Sequence, residues 1–398
     1  MDRRNLGRRQ ALGFAFSLIA PSLVVFDKYL GRIGVVAYVL AASAALVWVH
    51  RHFADRLAPL VTRRAAVGLA AAMAVALVVA FRVGYPLANS GWIGPGSDRD
   101  EHVNIGVTEL LGGRYPYYQL APYYESFISQ MPGALILAVP FVLLGNGAYQ
   151  NLFWIAAFVA ALAWLLRDAR PALVLTAAIF LFSPIVLNEY VVGGDLLANS
   201  LYVPLGALWV VAGRAAGRWP RGAAAAALGI ALSSRPHFLL IAPLVFSALR
   251  AREGLRSAVA WMTVTGATFA AVTLPFYLHD PAAFSPLDTV GFLQPDGLPP
   301  AAGFLLAGIC GAVAVGRALS RPQGDLRTFL ASCTLVLAFP VLLSVLVTSI
   351  DRGGLDLSVA GYGLSFLFFG ALAFMPSLSG AGRDRLGPSG ADLTSVRW

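Results

Sequence analysis

"TFLASCTLVLAFPVLLSVLVTSI", residues 328–350, carries no charged side chain in 23 positions. A helix of that length reaches about 35 Å, enough to cross a hydrocarbon core of about 30 Å. Its flanks differ. "RALSRPQGDLR" (317–327) precedes it with three arginines, and "DRGGLDLS" (351–358) follows with one. Such a run reads as a membrane span whose arginine-rich end stays in the cytoplasm.

The same reading extends along the chain. Further apolar segments lie at 11–26, 33–49, 65–84, 133–144, 151–166, 171–187, 198–213, 223–234, 238–249, 258–277, 301–316 and 359–376. They predict an all-α, polytopic integral membrane protein with 12 or 13 transmembrane helices. Composition agrees: only 12% of residues are charged, against about 25% in a soluble domain, which excludes a water-soluble globule. The first 26 residues resemble a signal peptide, but with so many later spans an uncleaved signal anchor is the expectation. The net charge of +9 does not call for nucleic acid, because the arginines sit in short linkers between spans. Lys28 is the only lysine. Cys310 and Cys333 fall inside apolar runs and read as small core residues, with no CxxC pair.

The linkers sort by charge. Segments 51–64, 213–222, 250–256 and 317–327 are arginine-rich and predicted cytoplasmic, like the basic N-terminus. Segments 85–131, 188–199, 278–300 and 351–358 are poor in net positive charge and predicted external, so 85–131 forms a large first external loop. The pattern holds only if 133–166 makes one net crossing. The 133–144 run reaches about 18 Å and fits a partial or re-entrant helix. The chain divides into an N-terminal transmembrane hairpin (1–64), a membrane domain (65–376) and a disordered tail (377–398).

Within the large loop, "GPGSDRDEHVNIGVTELLGGRYPYYQ" (94–119) gathers Asp98, Arg99, Asp100, Glu101 and His102 in five consecutive positions. Charge at a bilayer centre costs about 2.5–3.5 kcal/mol per residue, so this cluster stands in water or lines a polar cavity. A carboxylate at the mouth of such a cavity suits a general base; a solvated loop with a helix-capping aspartate is the alternative. The apolar positions 103, 105, 107, 110 and 111 predict a short amphipathic helix at the interface, ended by Gly112 and Gly113. Tyr115, Tyr117, Tyr118, Tyr123 and Tyr124 are expected at headgroup level. A second external acid, Asp195, follows Glu189 in "NEYVVGGDLLANS", either functional or capping the helix that starts near Leu196.

The third feature is "SSRPHFLL" (233–240). Its flanking runs of about 12 residues are too short to cross, so Arg235 and His237 sit at a hairpin tip below the outer surface. An arginine there needs an anion, either a lipid phosphate or a carboxylate such as Asp195. Arg352 and Asp351 are weaker candidates for the same phosphate, and His279 with Asp280 reads as a helix end and turn. No cluster has metal-ligand spacing, and there is no P-loop, GxSxG elbow or dinucleotide fingerprint.

These motifs, in this order and on this side, resemble the GT-C superfamily of membrane glycosyltransferases, closest to its bacterial polyprenyl-phosphate mannosyl- and arabinosyltransferases. Asp98 is followed by Gly112–Gly113 and "YPYY" as in the family's first external loop. "SQMPGALILAVPFVLLG" (129–145) is similar to its proline-headed helix, "GGDLLAN" to its second acidic motif, and "LGIALSSRPHFLL" to its basic hairpin. The likeness covers about residues 65–300. In several relatives the acidic pair is Asp-Glu, which here stands at Asp100-Glu101, so both Asp98 and Asp100 are candidates for the base. The resemblance implies a GT-C-like domain in the cytoplasmic membrane with its site facing out, and inverting transfer to a glycan or glycolipid hydroxyl. The donor is a polyprenyl-phosphate sugar, among membrane lipids, with no cofactor or metal. Arg235, Arg99, Arg114 and Arg352 then serve the donor phosphate, and Glu101, His102, Asp195 and His237 orient substrate. A lipid-linked sugar flippase or transporter is the rival class, marked by inverted repeats that this sequence does not display.

Overall fold

A computed structural model of the chain describes residues 3–52, 60–90, 92, 98–121, 125–212 and 218–375. Among them every regular element is helical, and the one extended pairing is an isolated antiparallel bridge between Leu120 and Phe127. The tail expected to be disordered, like Tyr123 and Tyr124, lies outside the described residues.

Seven helices among the described residues are long and apolar enough to cross a membrane. They are Arg9–Val49, Arg63–Ala88, Tyr149–Leu166, Asp195–Ala212, Leu255–His279, Pro300–Ser320 and Leu326–Asp351. Ala169–Phe182 and Pro184–Val191 meet at 86° and make an eighth if the pair is one span. The number is lower than the 12 or 13 expected, for reasons of length and bending. Pro132–Leu143, Pro220–Leu232 and Ala360–Phe374 are apolar but short. Ser183, pushed off the helical region by the proline after it (φ −131°, ψ 76°), breaks the 171–187 run. The runs 11–26 and 33–49 both lie in Arg9–Val49 but form two helices: the Phe26 and Tyr38 rings stack at 4.0 Å and Val35 packs with Leu23, Val24 and Phe26, so the chain doubles back between them. Gly31 divides that stretch, adopting φ 64° where a side chain would be strained, and Asp27, Lys28 and Arg32 gather at the break.

The Asp195–Ala212 helix is the axis of the bundle, with 83% of its apolar window buried. It is packed by Tyr149–Leu166, Arg218–Leu232 and Leu364–Phe374. Arg63–Ala88 and Leu255–His279 lie outside, only 11% buried, and expose Val67, Val75, Val79, Leu274 and Leu278. Such faces suit lipid and would be unfavourable in water. One apolar cluster joins Phe14 and Leu18 to Leu197, Val203, Phe329 and Phe369, so the N-terminal helices share the core of the rest.

The polar linkers segregate. Segments from the four arginine-poor linkers meet around one cavity. Of the arginine-rich ones, 213–222 and 250–256 meet away from it, where Arg221 pairs with Glu253. The short helix of the first loop is Arg99–Leu111, ended by Gly112 and by Gly113 at φ 69°. Its apolar face, Val103 and Val107, packs on Leu135 and Ala138 of the bundle instead of lying in the interface. Tyr117 likewise departs from the headgroup expectation. It is fully buried, edge-on to Phe276 and Phe284, while Tyr118 stays exposed.

Candidate functional site

Asp98 occupies the N-cap position of helix Arg99–Leu111, yet its side chain makes no capping bond. Its Oδ2 accepts from Ser126 Oγ at 3.4 Å. His102, four residues on and therefore on the same helical face, has Nε2 3.0 Å from the Ser126 carbonyl and 3.2 Å from Ser126 Oγ. A carbonyl oxygen only accepts, so Nε2 carries the proton and Nδ1 is bare. Burial holds the imidazole below its ordinary value, leaving it neutral at pH 7.

Positions 100 and 101 turn away from that face. Asp100 is 1% exposed and accepts from the Tyr85 hydroxyl at 2.5 Å, and Tyr85 in turn accepts from Asn146 Nδ2 at 2.7 Å. Glu101, partly buried beside Asp100, is pushed up to about 8, first by desolvation and then by its neighbour's carboxyl group.

The second acidic motif closes on the hairpin. Arg235 is 3% exposed, in the break between Arg218–Leu232 and the 3₁₀ turn Pro236–Ile241. Its Nη2 donates to both oxygens of Asp195, at 2.7 and 2.8 Å, and its Nη1 to Ser129 Oγ at 2.8 Å. Gln130 Nε2 and Asn199 Nδ2 add bonds to Asp195 at 3.0 and 2.8 Å. A carboxylate is therefore the partner of Arg235, the second of the two options that the sequence leaves open. The first loop is stitched to the same hairpin by Met131 N–H donating to the Ser234 carbonyl at 3.1 Å. Arg99 pairs with buried Glu189 and lies over the Tyr362 ring, 6.0 Å from its centroid.

These groups surround a cavity of 660 Å³. Asp98, Arg99, His102, Glu189 and Arg235 line it, with Ser126, Ser129, Ser285 and Asp288; Val24, Ile185, Val191 and Leu196 contribute apolar wall. Lys28 and Tyr29 of the N-terminal helices complete it. Asp195 stands directly behind Arg235. Asp100, Glu101 and His237 are not part of the lining. Two expected phosphate ligands are also elsewhere: Arg114 is exposed and bonded to Glu109, and Arg352 is exposed and bonded to Asp356. Each is drawn to a nearby acid on its own loop, which sequence order did not reveal.

Five site groups were missed by sequence reasoning. Glu189 and Lys28 had a signal, being charges beside apolar spans, and Gln130 stood polar at the head of an apolar run. Ser126 and Ser129 had none. Among the described residues no group of three or more His, Cys, Asp or Glu side chains is arranged to hold a metal. The arrangement offers a carboxylate, a neutral imidazole and fixed cations around a space that accommodates a small polar head. No family model, curated protein or solved structure matches the chain.

Proposed function

We propose that the chain is an inverting, GT-C-type glycosyltransferase that uses a polyprenyl-phosphate sugar at the extracytoplasmic face of the cytoplasmic membrane. The observation that carries this reading is the shared cavity: Asp98 and Arg235, 137 positions apart, line one pocket. Ser126 touches Asp98 and Ser129 touches Arg235, so three residues of chain, about 10 Å, separate the two contacts. The segregation of arginine-rich from arginine-poor linkers supports the sidedness.

In this reading Asp98 takes the proton from the acceptor hydroxyl as its oxygen attacks the anomeric carbon. The bond from that carbon to the phosphate oxygen breaks on the opposite face, and polyprenyl phosphate departs with the electron pair. The leaving group needs no proton, only compensation of its charge by a cation at the cavity. Asp98 is preferred to Asp100 because Asp100 is turned to Tyr85, outside the lining. Asp195 and Gln130 keep Arg235 in place. His102 fixes Ser126, which bonds Asp98.

The test is transfer of radiolabelled sugar from a polyprenyl-phosphate donor to crude lipid acceptors by purified protein. Asp98→Asn is expected to lower the rate by about 10²–10⁴, and Asp100→Asn by far less. An Asp98→Asn variant as active as the parent rejects the assignment. Label that crosses the bilayer unchanged identifies a flippase instead.

A further inference from the structure

Three cations line the cavity: Arg99, Arg235 and Lys28. Arg235 is already neutralised by Asp195, and Arg99 is ion-paired with Glu189, both acids being buried. With Asp98 beside them and Asp288 also on the wall, two arginines stand among four carboxylates, so this part of the cavity presents no surplus positive charge to an anion. Lys28 differs. Among the described residues it forms no ion pair, and its Nζ rests 5.2 Å from the centroid of the Tyr29 ring. It is exposed at the lip, where Tyr29, Phe127 and Phe292 are exposed too.

The backbone beneath Lys28 is held firmly. Gly31 turns the chain at φ 64°, and Arg32 just beyond bonds both to Asp27 and to the Leu355 carbonyl. That clamp fixes the turn against the last external linker and presents Lys28 over the cavity mouth.

We infer that Lys28 is the counter-ion for the phosphate of a lipid-linked substrate, a singly charged phosphodiester whose head enters the cavity and whose chain leaves over the exposed aromatic rings. The inference deepens the transferase reading and rests on it for the sugar, though not for the phosphate. One unpaired cation matches one negative charge; a diphosphate brings at least two and would place the second against a floor that already carries an excess of carboxylates. The apolar rings at the lip favour a lipid over free phosphate.

Because Lys28 is the only lysine, amine acetylation reports on it directly, the α-amino group being resolved on a separate peptide. The full chain in phosphatidylcholine nanodiscs is treated with an acetylating reagent, and modification of Lys28 is followed by mass spectrometry. Methyl polyprenyl phosphate, a singly charged lipid phosphodiester, at about ten times its dissociation constant is expected to slow the reaction about tenfold. Uncharged polyprenol and inorganic phosphate at the same concentration are expected to leave it unchanged. An unaltered rate with methyl polyprenyl phosphate overturns the inference, as does equal protection by inorganic phosphate or by polyprenol. Lys28→Ala is expected to weaken methyl polyprenyl phosphate binding about tenfold or more, and Lys28→Arg to retain it. The labelling uses the native chain, so a poorly folding variant does not remove the test. Protection without sugar transfer upholds Lys28 and rejects the transferase; full transfer by Lys28→Ala does the reverse.

Discussion

Asp195 and Arg235 are 1% and 3% exposed and joined by two hydrogen bonds, with Gln130 and Asn199 completing the carboxylate. Removing one member leaves a buried charge without its partner. Asp195→Ala or Arg235→Ala is therefore expected to cost about 3–5 kcal/mol, with the double variant less unstable than the sum of the singles. Thermal unfolding in detergent checks this. The sequence marked both residues as charges beside apolar spans; only their contact decided between carboxylate and phosphate. Glu101 gives a pH prediction. Its folded pKa is about 8, above the ordinary 4.5, so between those values the folded chain holds a proton that the unfolded chain has released. Stability attributable to Glu101 is complete below 4.5 and declines as pH rises toward 8. Glu101→Gln should flatten that decline. Melting temperatures across the window that stay parallel for the two proteins count against it.

At the scale of elements, Pro132–Leu143 crosses the end of Arg218–Leu232 closely. A Cβ on Gly133 would lie 2.2 Å from the Ile230 carbonyl oxygen and 2.5 Å from that of Ser233. Backbone atoms inside a helix pair do not yield, so Gly133→Ala is expected to push the two apart, at about 1–3 kcal/mol or more. The same shift strains the Met131–Ser234 bond and moves Ser129 from Arg235, so substrate binding should fall along with the melting temperature. A variant that melts and binds like the parent contradicts this packing. Helix ends were legible where chemistry is local, as at Gly112 and Gly113, which stop their helix. Which apolar runs bend was not legible, because hydropathy does not distinguish a run that continues from one bent by 86°, as 171–187 is. Nor does it distinguish Tyr117, buried between Phe276 and Phe284, from Tyr118, exposed one residue later.

At the scale of the whole molecule, sidedness is testable because Cys310 and Cys333 are both buried and supply no background to thiol reagents. Ser358 and Arg321 are exposed near opposite ends of Leu326–Asp351. A membrane-impermeant maleimide applied outside intact cells is expected to label Ser358→Cys and to spare Arg321→Cys; the reverse pattern inverts the proposed orientation. By itself the sequence determined an all-helical membrane protein, the grouping of linkers by charge and the residues that merit attention. Those properties follow from transfer of apolar and charged groups between water and lipid, which each segment expresses alone. Only the tertiary structure decided that Asp98, Arg99, His102, Arg235 and Lys28 share one cavity while Arg114 and Arg352 do not. That choice depends on which helices pack together and which acid reaches each arginine first. It is fixed by contacts between segments as much as 323 positions apart, as from Arg32 to Leu355, which no local pattern encodes.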